Sequence, residues 1–308
     1  MLYEIIQAML IVAIAPLITG IIRKLKAIMQ SRKGPGIFQP YYDLYKLFRK
    51  DSVVSKNASW VTYVTPYVCM AAMLIAALMV PVFITRSMGF FGDLIVVVYL
   101  LASARFFMAL AALDAGSAFG GMGSSREMSI SSIVEPTMLL AIFTMALITS
   151  TTSLGDISER LAISGIDLVR PSLFLAFAAF FIATIAENAR VPVDNPATHL
   201  ELTMVHEGMI LEYSGKHLGL MELSSMTKLV IFLTILANVF FPWGIATSPD
   251  AAAIAIGLLS FLAKVLVFAG VIAFIECSIS KLRLFKVPNL LTVSFTLALL
   301  AVMSFYIL

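Results

Sequence analysis

Residues 251–277 read AAAIAIGLLSFLAKVLVFAGVIAFIEC, an apolar run interrupted only by Lys264 and Glu276. A helix needs about 20 mostly apolar residues to cross the hydrocarbon of a bilayer, and this stretch exceeds that length. Working outward, seven more stretches meet the same test: Leu2–Ile22, Trp60–Ile84, Asp93–Leu113, Ile133–Thr152, Ser172–Ala189, Thr227–Ile245 and Asn289–Leu308. The expectation is an all-α integral membrane protein with eight transmembrane helices, forming a single membrane domain over residues 1–308. Composition agrees: 60% of the residues are hydrophobic and 13% charged, where soluble domains carry roughly 25% charged residues. The acid Glu4 stands where a signal peptide would be basic, so the first segment is expected to be a retained helix. A net charge of +3 gives nucleic acid no footing. Two distant cysteines, Cys69 and Cys277, without a CxxC pair speak against a cluster or a disulfide framework.

Cytoplasmic loops of membrane proteins are enriched in Lys and Arg. Here one set of loops, at about 23–59, 114–132, 190–226 and 278–288, holds most of them, whereas the opposite set holds Arg86, Arg160 and Arg170. The first set is expected in the cytoplasm and both termini on the other side. In the first loop Gly34-Pro35-Gly36 forces a turn. Tyr41, Leu44, Tyr45 and Phe48 then recur at helical spacing, with Asp43, Lys46, Arg49 and Lys50 opposite. That pattern predicts an amphipathic helix in the interface plane, serving either as a surface anchor or as a platform for a peripheral partner.

Ionisable groups at the depth of a span are costly, by ~2.5–3.5 kcal/mol on insertion scales, and mark function by default. Arg105, Glu135, Glu187, Lys264 and Glu276 fall in or beside spans, with Asp114, Arg126 and Glu127 close to helix ends. Glu135, just before Pro136, is read as lying near a helix start, where the dipole favours an anion. Lys264, deepest in its span, is expected to need a carboxylate partner or to lose its proton. The plain alternative for each is a structural ion pair between helices.

All three histidines, His199, His206 and His217, lie in Thr184–Leu218, TIAENARVPVDNPATHLELTMVHEGMILEYSGKHL, with Glu187, Asp194, Glu201, Glu207 and Glu212. As one helix, this segment would put Glu201, Val205, Gly208 and Glu212 on one face and His199 and His206 on the next stripe. Histidines among carboxylates suit a proton relay; a solvated amphipathic loop is the bland reading. Without HExxH or a nearby cysteine, no metal site is expected.

Four stretches together carry a resemblance: RKGPGIFQPYYDLYKLFRK from Arg32, LDAGSAFGGMGSSREMSISSIVEP from Leu113, AENARVPVDNPATHLEL with LEYSG from Ala186 and Leu211, and FLAKVLVFAGVIAFIECSISKLRL from Phe261. They resemble the subunit-1 (H subunit) family of respiratory complex I and its relatives in membrane-bound [NiFe] hydrogenases, along nearly the whole chain. Two departures point to the hydrogenase branch. Gly34–Gln39 is shorter than the GPNRVGPFGLLQ of complex I members, which counts against a quinone site. The family's ExExE cluster is reduced to Ala197, His199 and Glu201.

The resemblance implies a membrane subunit of a group 4 energy-converting hydrogenase complex of the formate hydrogenlyase and hydrogenase-4 type, in the cell (inner or plasma) membrane. It implies an acidic path through Glu135, Glu187, Glu201 and Glu212, balanced by Arg126 and Arg190. His199, His206, Glu207, Asp114, Lys264 and Glu276 are further path candidates and Arg105 a further cation. Docking is expected through Arg32, Lys33, Gly34, Gln39, Tyr42, Asp43 and Lys46. No redox cofactor is expected in this chain. The [NiFe] centre and iron–sulfur clusters would belong to hydrogenase large and small subunits and an iron–sulfur subunit, beside antiporter-like membrane subunits and bound lipid. Changing Glu201 or Glu212 to Gln is expected to abolish ion pumping, by H⁺ or Na⁺, and to spare electron transfer. A quinone-site subunit of complex I and a stand-alone secondary ion transporter are the alternatives.

Overall fold

The computed structural model describes residues 2–55, 58–85, 93–163, 170–195, 204–247 and 250–307. Among them the chain is all-helical, with two isolated backbone bridges, Ile84 with Ala246 and Asp93 with Ser153. In chain order the helices are α1 (Leu2–Met29), α2 (Gln39–Phe48), α3 (Trp60–Met79), α4 (Leu94–Asp114), α5 (Ala118–Thr149), α6 (Leu154–Ile163), α7 (Pro171–Glu187), α8 (His206–Ile210), α9 (Gly215–Ile235), α10 (Ala251–Ser278) and α11 (Val287–Ile307). A π-helical turn, Leu236–Phe240, continues α9, and a 3₁₀ turn, Leu284–Lys286, leads into α11. Seven of these helices are long and apolar enough to cross a membrane: α1, α3, α4, α5, α9, α10 and α11. The apolar α7 is shorter, at 17 residues.

α9 is the axis of the bundle. Its apolar window is 83% buried, against 33% in α10 and 22% in the helix ending at Ile307. Phe180 of α7 packs on Phe232 and Phe240 with ring centroids 5.9 and 5.7 Å apart, locking α7 to α9 and its π turn. Two glycines let backbones meet. A Cβ on Gly20 of α1 would lie 1.9 Å from the Ile37 carbonyl oxygen, so the Gly34–Phe38 loop is pressed against α1. Gly215 opens α9 with φ +53°, and a Cβ there would lie 2.3 Å from the Asp51 carbonyl oxygen. The α2 helix is thereby held to the bundle through buried Leu44, while Tyr42 and Tyr45 stay exposed.

Several boundaries differ from the sequence expectation. The fourth span does not begin at Ile133. Ser117 caps α5 by accepting a hydrogen bond from the Gly120 amide, and the helix runs unbroken to Thr149. Its Gly- and Ser-rich start looks like loop but is helical, because bare glycine faces are needed against α8: a Cβ on Gly123 would lie 2.9 Å from the Val205 carbonyl oxygen. Glu135 and Pro136 therefore sit mid-helix, and the dipole argument for Glu135 falls. The expected continuous face from Glu201 to Glu212 is not formed either. Residues 204–205 and 211–214 are non-helical around the single turn of α8, and Glu212 is exposed. His199 and Glu201, like Arg86, lie outside the described residues.

Candidate functional site

Arg105 projects from α4 into the centre of the bundle and is 3% exposed. Its guanidinium meets three carboxylates: Glu127 at 3.8 Å and Glu135 at 2.9 Å, both from α5, and Glu187 from the end of α7. Lys228 of α9 reaches the same Glu187 oxygen at 2.8 Å. Four helices thus contribute to one cluster of two cations and three carboxylates. A buried charge left alone costs several kcal/mol, so each member requires the others. Glu127 and Glu187 are buried; the Glu135 side chain is 36% exposed, and the cluster reaches the side of the bundle there.

A second cluster ties α1 to α10. Buried Glu276 lies 2.5 Å from Lys26 and 3.3 Å from Arg190. A third anchors the segment before α8. Asp194 pairs with Lys281 at 2.6 Å and accepts the His206 backbone amide at 3.2 Å.

Between the clusters lies a cavity of about 640 Å³ whose polar lining includes Arg23, Arg32, Arg190, Glu207 and Glu222. A smaller cavity of about 30 Å³ adjoins Arg105 and Lys228, room for on the order of two waters. His206 lines both. Burial, helped by the positive charge of Lys228, holds the His206 imidazole down at about 4, so it is neutral. Burial, with Glu222 and Asp194 nearby, pushes its neighbour Glu207 up to about 7 against the opposing pull of Arg23. Glu207 therefore gains and loses its proton near neutral pH.

The structure brings Glu135, Glu187 and Arg105 together, joins Glu276 to Arg190, and sets His206 and Glu207 on the larger cavity. Arg126 donates to the Met204 carbonyl at 2.8 Å, bracing the segment before α8. Asp114, the last residue of α4, stands apart and reaches the start of α3, accepting from the Ser59 amide at 2.8 Å and the Thr62 hydroxyl at 2.7 Å. Lys264 has no carboxylate partner among the described residues; Asn238 Oδ1 of the π turn receives it at 3.3 Å. Lys228, Lys26 and Glu222 were missed. Lys228 interrupts the apolar run that follows Met226, which was signal enough to find it.

The proposed docking residues gather around the first loop. Gly34 takes φ +61°, with space for a Cβ blocked by Ala27 at 2.2 Å. Lys24 donates to the Lys33 carbonyl at 2.7 Å, and Gln39 to Asp43 at 2.8 Å. Arg32, Tyr42 and Lys46 are exposed. The two cysteines do not fit an iron–sulfur cluster: buried Cys69 donates to the Ala104 carbonyl at 3.3 Å, and Cys277 sits on another helix, α10. Among the described residues no group of three or more His, Cys, Asp or Glu side chains is arranged to hold a metal ion.

Comparison with known proteins adds the relatives. A family model described as NADH dehydrogenase matches residues 3–307. Formate hydrogenlyase subunit 4 of Escherichia coli is 36% identical over 304 residues, 98% of each chain. Hydrogenase-4 component C of the same organism is 35% identical over 97% of this chain and 94% of its own. The NADH-quinone oxidoreductase H subunit of Rubrobacter xylanophilus is 28% identical over 75% of this chain and 71% of its own. A solved chain of the membrane-bound sulfane sulfur reductase, an archaeal respiratory membrane complex, shares the fold with a TM-score of 0.81 at 23% identity, covering 97% of this chain and 98% of that one. On the full-length family match and the near-complete coverage of both hydrogenase relatives, the chain belongs to the NADH dehydrogenase family of membrane proteins, which includes the H subunit of NADH-quinone oxidoreductase.

Proposed function

We propose that the chain is a membrane subunit of a group 4 [NiFe] hydrogenase complex, docking the peripheral hydrogenase module and coupling its electron transfer to proton or sodium movement. The observation that carries this reading is end-to-end similarity to two hydrogenase membrane subunits, with the complex I relative matching over a shorter stretch. The [NiFe] centre and clusters then sit in the hydrogenase large and small subunits and an iron–sulfur subunit, and antiporter-like membrane subunits carry the ions.

The fold supports the reading as follows. At 1.5 Å per residue the 17 residues of α7 span about 26 Å, close to the ~30 Å of hydrocarbon. With α7 as the eighth crossing, both termini lie on the non-cytoplasmic side, opposite the basic loops. The exposed aromatic and basic residues of α2 suit a helix lying in the cytoplasmic interface, against lipid and beside the docked module.

Coupling runs through this chain's own groups. Two cations and three carboxylates around Arg105 leave one negative charge unmatched, so the cluster has a place for one proton. Glu207 exchanges a proton from the larger cavity, and neutral His206 stands between that cavity and Lys228. Reduction of a partner's cluster places a unit charge nearby. At ~10 Å and an effective dielectric of ~20 this is worth roughly 1.7 kcal/mol, more than one pKa unit. Such a field shifts the occupancy of Glu207.

The test is to isolate the native assembly through a tag on this chain and inventory it by mass spectrometry. Co-purifying hydrogenase subunits are expected; a chain that emerges alone overturns the reading in favour of a transporter. In the assembly, Glu207→Gln is expected to abolish ion pumping while hydrogen oxidation with a soluble acceptor persists. Full pumping in that variant sinks the coupling role.

A further inference from the structure

Lys264 lies in the middle of α10, with thirteen residues of the helix before it and fourteen after. At 1.5 Å per residue either end is about 20 Å away, beyond the reach of a lysine side chain, so its ammonium cannot snorkel to water. It has to be met inside the hydrocarbon layer.

An ammonium has three donors, and among the described residues the chain supplies one acceptor. Asn238 Oδ1 stands 3.3 Å from Lys264 Nζ. That oxygen is aimed deliberately: the Asn238 amide nitrogen donates to the Pro81 and Val82 carbonyls at 2.9 and 2.7 Å, which fixes the orientation of the group. The π turn that carries Asn238 is the kind of helix irregularity that collects at functional sites. Among the described residues no other hydrogen bond or ion pair reaches Lys264. The side chain is half-buried, and its neighbour one turn on, Val267, is 65% exposed, with Leu259 and Ile256 comparably open on the same helix. Beside this half-buried ammonium, with two donors left over, runs an apolar face of α10 that the described residues leave uncovered.

We propose that this face of α10 seats a transmembrane helix of a second membrane subunit, and that this helix brings an aspartate or glutamate at mid-depth to pair with Lys264. The choice of occupant follows from charge complementarity. An acyl chain offers no acceptor, and a lipid headgroup lies too far away, whereas a carboxylate on a neighbouring helix satisfies the ammonium and is satisfied by it. It rests on the hydrogenase-complex reading only in requiring a multisubunit membrane assembly.

The experiment compares wild type, Lys264→Arg and Lys264→Met in the full complex. Each is purified through a tag on this chain in mild detergent, and every subunit is quantified by mass spectrometry. The Arg variant is expected to keep the neighbouring membrane subunit. The Met variant is expected to lose it by about tenfold, which corresponds to about 1.4 kcal/mol, while the amount of this chain and of the peripheral module stays level. Carbodiimide treatment of the wild type is expected to link Lys264 to a carboxylate of that neighbour. Unchanged stoichiometry in Lys264→Met overturns the proposal, as does a Lys264 that is never cross-linked. A wild-type chain that purifies alone instead overturns the complex-subunit reading itself, so the two failures are told apart.

Discussion

Lys228 and Arg105 grip one carboxylate oxygen: Glu187 Oε1 lies 2.8 Å from Lys228 Nζ and also accepts from Arg105 Nη2. The three residues come from α9, α4 and α7, so this oxygen is where three helices are fastened together. Breaking a buried pair by removing one partner costs about 3–5 kcal/mol, because a desolvated charge is left behind. Glu187→Gln is expected to lower stability by about that amount, read by thermal unfolding of the detergent-solubilised protein.

Glu135 holds the same arginine from a more open position. Its side chain is 36% exposed, and without it Arg105 still meets Glu187 and Glu127, so no cation is left unpaired. Glu135→Gln is expected to unfold near the wild-type temperature. A loss of ion pumping in that variant, with hydrogen oxidation retained, would assign Glu135 a role in coupling rather than in folding.

Stability should depend on pH in a way that two adjacent residues set against each other. Glu207 is raised to about 7 in the fold, from 4.5. Between those values the folded state holds the extra proton, so this group's contribution falls as pH rises toward 7. His206 is lowered to about 4, from 6.5. Between those values the unfolded state holds the extra proton, so its contribution falls as pH drops toward 4. The two slopes oppose each other between about 4.5 and 6.5. Glu207→Gln is expected to unmask a loss of stability on acidification below about 6.5, and His206→Gln a loss on going up to about 7. Thermal melts across that range, in both variants, check the signs.

The close approach of the first loop to α1 gives a further prediction. Gly20→Ala would drive a methyl group into the Ile37 carbonyl. Overpacking of this kind costs typically 1–3 kcal/mol, here borne by the Gly34–Phe38 segment. Limited trypsin digestion is expected to cleave at Arg32 and Lys33 sooner in the variant, and the peripheral module to be retained less well.

Much of the membrane architecture was legible in the sequence because an apolar run of about 20 residues has few other uses. The spans at Trp60, Asp93 and residues 251–277 sit within a few residues of α3, α4 and α10. What escaped were the helical overhangs. Residues Arg23–Met29 of α1, Ala118–Ser132 of α5 and Gly215–Met226 of α9 are polar or glycine-rich and read as loop, yet packing against other elements carries the helix through them. The site divided in the same way. Arg105, Glu187 and Glu276 stood out as charges in apolar surroundings. Their partner Lys26 did not, because pairing across helices leaves no trace at any fixed spacing along the chain, whereas Lys228 was passed over although it stands inside an apolar run. The face expected to run to Glu212 is interrupted among the described residues, because α8 is a single turn with non-helical residues on either side.

The length of α5 has a mechanical consequence. Its 32 residues make a rod about 48 Å long, well beyond the ~30 Å of hydrocarbon. Its N-terminal end abuts α8 where Gly123 faces Val205 and Gly208 faces Phe119, so the two backbones run close together. A shift of α8 is therefore passed directly to that end of α5. Glu135 lies roughly 22 Å down the rod from Gly120, so a tilt of about 3° displaces it by roughly 1 Å, enough to lengthen its contact with Arg105.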